Sequence, residues 1–323
     1  MAISFNSIPA SLRIPGAYIE FDNALAGANF LKQKVNAIGQ RLATGAHKTN
    51  APVRVTQADA AKNLFGRGSM LAVMVEAALT ANPEIELWVS ALEDNAAGQA
   101  ATGLIKVTNA PSGAGTLYLY LGGNRVAVGI ASGDSANQVA SSIAAAINAQ
   151  LDLPVTASAN AADVTVTARH KGEAFNGYDL RANFYGETQP AGLSLTFNSL
   201  SGGTGSPDIN DAVDAMGDEW FNWIINPYTD TANMVSLEND LDSRYGPMRQ
   251  IGARAFCAFA GTLGQSSSFG KARNNPHVSC MASGESPTPT FAVASINAAV
   301  ASLSLSIDPA RPLQTLILKG MLA

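Results

Sequence analysis

The stretch TQADAAKNLFGRGSMLAVMVEAALTANPEIELWVSAL, residues 56–92, decides the class of fold. Met70, Val73, Met74, Ala77 and Ala78 recur at helical spacing, whereas Gly66 and Gly68 interrupt the first half of the stretch. Thr56 with Asp59 three positions on resembles an aspartate version of a capping box, which predicts where the helical region starts. Pro83 ends it, since proline supplies no donor and biases its predecessor away from helix. IELWVSAL, residues 85–92, then reads as a strand, and KVNAIGQRLATG, residues 34–45, reads as a short buried strand leaving into a glycine-containing loop. Strand, helix, strand is the order of a parallel α/β sheet.

The pattern resumes near the other end of the chain. PDINDAVDAMGDEWFNWIINPY, residues 207–228, carries Val213, Met216, Trp220, Phe221 and Ile224 at helical spacing, predicting one helix that stops at Pro227. TANMVSLENDLDSRYG, residues 231–246, predicts a second amphipathic helix. ARAFCAFAG, residues 253–261, and HVSCMAS, residues 277–283, read as buried strands, and TPTFAVASINAAVASLSLS, residues 288–306, as a helix of small residues. Trp88, Trp220 and Trp223 are expected to serve packing, with Trp220 on a buried helix stripe and Trp223 the one of the three that could face a neighbouring subunit.

Between these halves the texture changes. From Ala97 to Gly203 the chain consists of short alternating runs, namely TGLIKVTN, GTLYLYLG, RVAVGIA, DVTVTARH, YDLRANFY and LSLTFN, interrupted by an alanine-rich helix from Ser135 to Gln150. The Gly-Gly-Asn between LYLYL and RVAVGI is a hairpin signal. These runs lie between NAAGQAATG and SLSGGTGSP, so residues 97–203 are expected to form an autonomous all-β, sandwich-like domain inserted into an α/β core of residues 21–96 and 204–323.

Residues 1–20 belong to neither. Ile3, Phe5, Ile8, Leu12, Ile14, Tyr18 and Ile19 stand among Ser and Asn, with Pro9 and Pro15 excluding a helix. No basic region and no unbroken apolar run mark a signal peptide. The segment reads as an extended N-terminal arm. Its prolines confine it to the edge of a sheet, and fully extended it spans at most roughly 66 Å, enough to reach another subunit.

Composition narrows the function. Of 323 residues 47% are hydrophobic and only 14% charged, against about 25% in typical domains, so the surface is unusually uncharged, as expected if neighbours cover much of it. A chain this long predicts two or three domains. No run of 18 apolar residues free of charges and breakers predicts a membrane anchor. Cys257 and Cys280, in no CxxC or Cys/His cluster, read as buried free thiols. The net charge of −5 hides a contrast: residues 206–243 hold nine acids and no base, whereas residues 244–273 hold five bases and no acid. Asp208, Asp211 and Asp214 on one side and Arg244, Arg249 and Arg254 on the other are candidate inter-subunit contacts, because in a repeating assembly such blocks register neighbours.

Chemistry of other kinds does not assemble. His170, beside Lys171, reads as exposed; His277 is near Ser266, Ser267 and Ser268 in sequence, but no G-x-S-x-G surrounds them. GRGSML lacks the preceding strand and third glycine of a dinucleotide fingerprint, and GGTGSP lacks a phosphate-binding lysine. No catalytic, cofactor or metal residues are assigned. The bases lack interleaved aromatics, which argues against nucleic acid as a partner.

ISFNSIPASLRIPGAYIEFDN (3–23), IGQRLATG (38–45), FGRGSMLAVMVEAALTANPEIELW (65–88) and NPYTDTANMVSLENDLDSRYGPM (226–248) together resemble the tail sheath protein of Mu-type contractile phages, in order along essentially the whole chain. The resemblance implies a non-catalytic, subtilisin-like α/β core with an inserted β-sandwich. It also implies a virion protein, assembled in the host bacterial cytoplasm, that polymerises as stacked hexameric rings around a tail tube. Its implied partners are copies of itself, the tail tube protein, and baseplate and tail terminator proteins, and its implied action is contraction that drives the tube through the bacterial envelope during genome delivery. Terminal arms in such sheaths add strands to a neighbour's sheet, which gives residues 1–20 a linking role. Family members continue past the stretch resembling PLQTLILKGMLA (312–323) into a tube-binding C-terminal domain, which is expected to be absent here. Two other readings stay open: a surface-layer or adhesin module, suggested by the Thr/Val-rich insertion, and a hydrolase of subtilisin-like descent, which labelling with a fluorophosphonate would reveal.

Overall fold

A computed structural model describes Pro15, Gly16 and residues 33–322 of the chain. The predicted arm residues Ile3, Phe5, Ile8, Leu12, Ile14, Tyr18 and Ile19 lie outside the described residues.

The order read from residues 34–92 is the observed one. β1 (Lys34–Gln40) leads through the two-residue β2 (Val53–Arg54) to α1 (Ala58–Phe65), α2 (Met70–Ala81) and β3 (Glu86–Leu92). Gly66 and Gly68 separate the helices because both hold positive φ, at +92° and +75°. A Cβ on Gly68 would lie 2.5 Å from the Leu153 carbonyl oxygen, so the chain passes there with no room for a side chain. Capping differs from expectation: α1 starts after Gln57 with no side-chain cap, Thr56 and Asp59 form no box, and Ser69 caps α2 by accepting from the Ala72 amide. Asp59 instead points to solvent, 3.8 Å from Lys62 on the next turn.

Residues 207–228 correct the reading more deeply. The predicted single helix is a short helix, α4 (Asn210–Met216), followed by a strand, β11 (Trp223–Ile225). Gly217, at φ +49°, ends the helix. Trp220 therefore lies on no helix stripe and is 52% exposed, while Trp223 is buried against Phe256 at 5.6 Å between ring centroids. After α5 (Thr231–Tyr245), β12 (Arg254–Phe259), α6 (Leu263–Arg273), β13 (Val278–Ala282) and α7 (Thr290–Ile307) complete this part of the chain. Sequence reasoning gave no element for α6; it has no buried residue and so no apolar stripe, although Thr262 and Gln265 form a capping box at its start.

The sheet order is β13-β12-β11-β1-β3-β2, parallel except for β2. Its strands are short apolar runs because both faces are covered. Val35 and Ala37 of β1 join the core shared with α2 and α7, whereas Ile38 joins the opposite core with Met216, Phe221, Leu237 and Leu241. β13 is an outer strand and is only half-buried, where a buried strand was expected. α7 likewise departs from the expectation of no membrane-length segment, for its 18 residues have a mean hydropathy of 1.6. Its small residues let it lie close against α2 and the sheet, and 61% of it is buried in the protein.

The insertion builds two antiparallel sheets. One has the order β10 (Ser194–Ser201), β4 (Ala100–Asn109), β8 (Asp163–Lys171), β7 (Val155–Asn160); the other has β6 (Asn124–Ile130), β5 (Gly115–Leu121), β9 (Leu180–Ala182). Gly122 and Gly123, both at positive φ, make the hairpin turn between β5 and β6. The insertion is not all-β. α3 (Ala136–Ala149) buries Val139, Ala140, Ile143, Ala144 and Ile147 against strands of both sheets, so the helix is a layer of the core. Nor is the insertion set apart: residues from Gln33 onward form one compact unit with a continuous apolar core, and Phe175 of the insertion meets Phe291 of α7 at 5.1 Å between ring centroids.

Candidate inter-subunit surface

The acidic and basic blocks resolve into two kinds of residue. Asp208, Asp211 and Asp214 lie at the start of α4 and along it, exposed, and none of them has an ion-pair partner among the described residues. Arg254 is exposed at the start of β12 and donates to the Pro276 carbonyl at 3.1 Å, again with no carboxylate partner among the described residues. These four are free to meet another molecule.

Arg244 and Arg249 are not. Arg244 is fully buried on α5, where its Nε donates to Asp240 at 2.6 Å and its two Nη atoms to the carbonyls of Glu219 at 3.0 Å and Gly217 at 2.9 Å. Arg249 donates to Asp218 at 3.1 Å, Asp240 at 2.9 Å and the Gly217 carbonyl at 2.8 Å. A guanidinium leaves water only when its donors find acceptors. Here they are the Asp240 and Asp218 carboxylates and the Gly217 and Glu219 carbonyls of the turn after α4, so the arginines fasten that turn to the end of α5. The expectation that Arg244 meets a neighbouring subunit is corrected accordingly. Glu238 and Arg273 pair within the chain at 2.6 Å, and Glu219 pairs with Lys34, so much of the charge contrast is spent internally.

Near this turn are exposed apolar side chains, among them Trp220, for which a buried packing role was expected. Trp220, Tyr245 and Met248 are 52, 70 and 93% exposed. The Trp220 indole donates to the Gly252 carbonyl at 3.0 Å, and the Tyr245 ring lies 5.0 Å from that of His277. Trp220 and Tyr245 both lie against Gly252, and exposed aromatic and methionine side chains are enriched on surfaces that partners cover.

His170 also stands elsewhere than expected. It is fully buried, with Nδ1 2.7 Å from Asp94 Oδ1 and Nε2 accepting from the Met70 amide at 3.1 Å, so both nitrogens are engaged and neither faces a cleft. Gln40 donates to the same Asp94 oxygen and to the Lys171 carbonyl, tying the ends of β1, β3 and β8 together at the start of α2. Burial pushes the Asp94 carboxyl up, but hydrogen bonds from His170, Lys171 and Gln40 outweigh burial and hold it below its ordinary 3.8. A lowered folded-state pKa contributes stability that is present above the ordinary value and lost as pH falls through the folded one. Thermal melts at a series of pH values are therefore expected to show stability falling on the acid side of 3.8, and falling less in Asp94→Asn. Equal acid sensitivity in both proteins would contradict this.

His277 meets Asp242 at 3.5 Å rather than any of Ser266, Ser267 or Ser268. Among the described residues no group of three or more His, Cys, Asp or Glu could hold a metal ion.

Residues 202–323 match the family described as phage tail sheath protein central domain. Across 321 residues, 98% of this chain, the sequence is 43% identical to the Mu-like prophage FluMu tail sheath protein of Haemophilus influenzae. This chain belongs to the phage tail sheath family. It spans 66% of that relative's length. The sheath family and this relative are structural tail proteins, not enzymes. Solved sheath tail proteins of Listeria innocua and Desulfitobacterium hafniense align over 83 and 88% of this chain and 56 and 62% of theirs, at 14 and 12% identity with TM-scores of 0.34 and 0.36, too low to carry an argument.

Proposed function

We propose that this sheath-family chain is the repeating subunit of a contractile tail sheath, which polymerises around a tail tube and contracts to drive the tube through the bacterial envelope during genome delivery. The observation that carries the reading is 43% identity to a tail sheath protein across 98% of the chain. On this reading the protein resides in the virion tail after assembly in the host cytoplasm. Its partners are copies of itself in hexameric rings, the tail tube protein, and the baseplate and tail terminator proteins. The parallel sheet with helices on both faces is the subtilisin-like core, bearing no protease site.

Two contacts link the subunits. The arm, with Ile3, Phe5, Ile8, Leu12, Ile14, Tyr18 and Ile19, pairs at the sheet edge of a neighbour, where main-chain hydrogen bonds supply affinity and alternate side chains fill pockets. Asp208, Asp211 and Asp214 of one copy face Arg254 of the next, since these exposed groups have opposite sign and no ion-pair partner among the described residues. Such a contact joins different patches and so repeats along a polymer. Deletion of residues 1–20 from the full-length protein is expected to leave folded subunits whose light scattering stays that of unassembled protein. Normal assembly without the arm would sink its linking role, and loss of folding would show that the segment completes its own domain.

A further inference from the structure

The two cysteines, 23 positions apart in the chain, are brought face to face by the sheet. Cys257 on β12 and Cys280 on β13 are direct register partners in adjacent parallel strands, so their side chains leave the same face of the sheet. Neighbouring strands lie about 4.8 Å apart, inside the roughly 4.4–6.8 Å between Cα atoms that a disulfide spans. Both thiols are free; Cys257 is fully buried, whereas Cys280 is exposed on the outer strand. The nearby charges are the Glu238 carboxylate on α5 and the Arg273 guanidinium that neutralises it at 2.6 Å.

We propose that Cys257 and Cys280 form a dithiol modification site, which a two-electron oxidant of the peroxide class converts to an intramolecular disulfide fastening β13 to β12. Cys280 is the attacking group. It is the one that solvent reaches, and its Cys257 neighbour lowers its pKa, whereas the Cys280 neighbour and burial keep Cys257 protonated. The Cys280 sulfur attacks one peroxide oxygen, the O–O bond breaks, and with the thiol proton the other oxygen leaves as water. The resulting sulfenic acid is then attacked by the Cys257 sulfur as that thiol gives up its proton. The S–O bond breaks, and a second water leaves with the new S–S bond in place. Each sulfur is oxidised by one electron, and the peroxide takes up both.

The bridge closes a loop holding all of α6, a helix with no fully buried residue, and so adds a covalent tie to an excursion otherwise held by the stacking of Phe269 on Phe259 at 4.7 Å and by the Arg273–Glu238 pair. A bridge on an outer strand is open to reductants, which makes the modification reversible.

The test treats the full chain with hydrogen peroxide, counts thiols by maleimide mass-tagging, and maps peptides without reduction. Both thiols are expected to disappear together into a Cys257–Cys280 link within one chain and to return with dithiothreitol. In Cys257→Ser, Cys280 is expected to stop at a sulfenic acid trapped by dimedone; in Cys280→Ser, Cys257 is expected to stay unmodified over the same time. Loss of the Cys280 thiol while Cys257 remains free, bridges only between chains, or no thiol loss at all would each overturn the proposal.

Discussion

Replacing Arg244 by alanine is expected to destabilise the folded subunit by about 3–5 kcal/mol, the usual cost of removing one partner of a buried ion pair. The side chain has no exposure, and it donates to Asp240, Glu219 and Gly217 at 2.6–3.0 Å. Without it the Glu219 carbonyl loses this donor, and Asp240 keeps only Arg249 of the two arginines that hold it. Arg254→Ala, at an exposed site, is expected to change the stability of the unassembled subunit by less than about 0.5 kcal/mol. Urea unfolding measures both. A midpoint for Arg244→Ala equal to that of the unaltered protein would return this arginine to the surface.

A second large effect is expected at Phe291, where alanine removes a fully buried ring and is expected to cost about 3–5 kcal/mol. The ring belongs to α7, yet it packs on Phe175 of the insertion, which in turn lies 6.0 Å from Tyr178 and 6.2 Å from His170. The lost contacts thus lie between the α/β core and the insertion. If the two share one core, Phe291→Ala lowers a single cooperative transition seen alike by tryptophan fluorescence, which reports the α/β part where all three tryptophans lie, and by far-ultraviolet circular dichroism. An autonomous insertion would instead melt at an unchanged temperature while the fluorescence transition moved.

Where the sequence was legible, single residues punctuated it. Pro83, Gly66 and Gly68 bracket the helices between β1 and β3, and the Gly122–Gly123 pair marks a hairpin whose turn needs positive φ. Where it was misread, periodicity was shared by two structures. Met216, Trp220, Phe221 and Ile224 repeat at helical spacing, but Gly217 breaks the helix, and Trp223, Ile224 and Ile225 are buried because the strand is covered on both faces.

Two misplaced residues carried their correction in the pattern. Val164, Val166, Ala168 and His170 alternate along β8 and are all buried, so the strand's period of two put His170 inside and Lys171 outside. Arg244 continues the stripe of Met234, Leu237 and Leu241 on α5, and that stripe, not its charge, located it. What the sequence could not disclose is which carboxylates are used up within the subunit. That depends on the turn after α4 meeting the end of α5, a contact between residues 25–32 positions apart.

The central claim is that copies of this chain build a tube. Negative-stain electron microscopy of the purified full-length protein tests it most directly. Stacked rings enclosing a continuous central channel are the result predicted. Discrete globular particles at every protein concentration, with no rings or tubes, would contradict it.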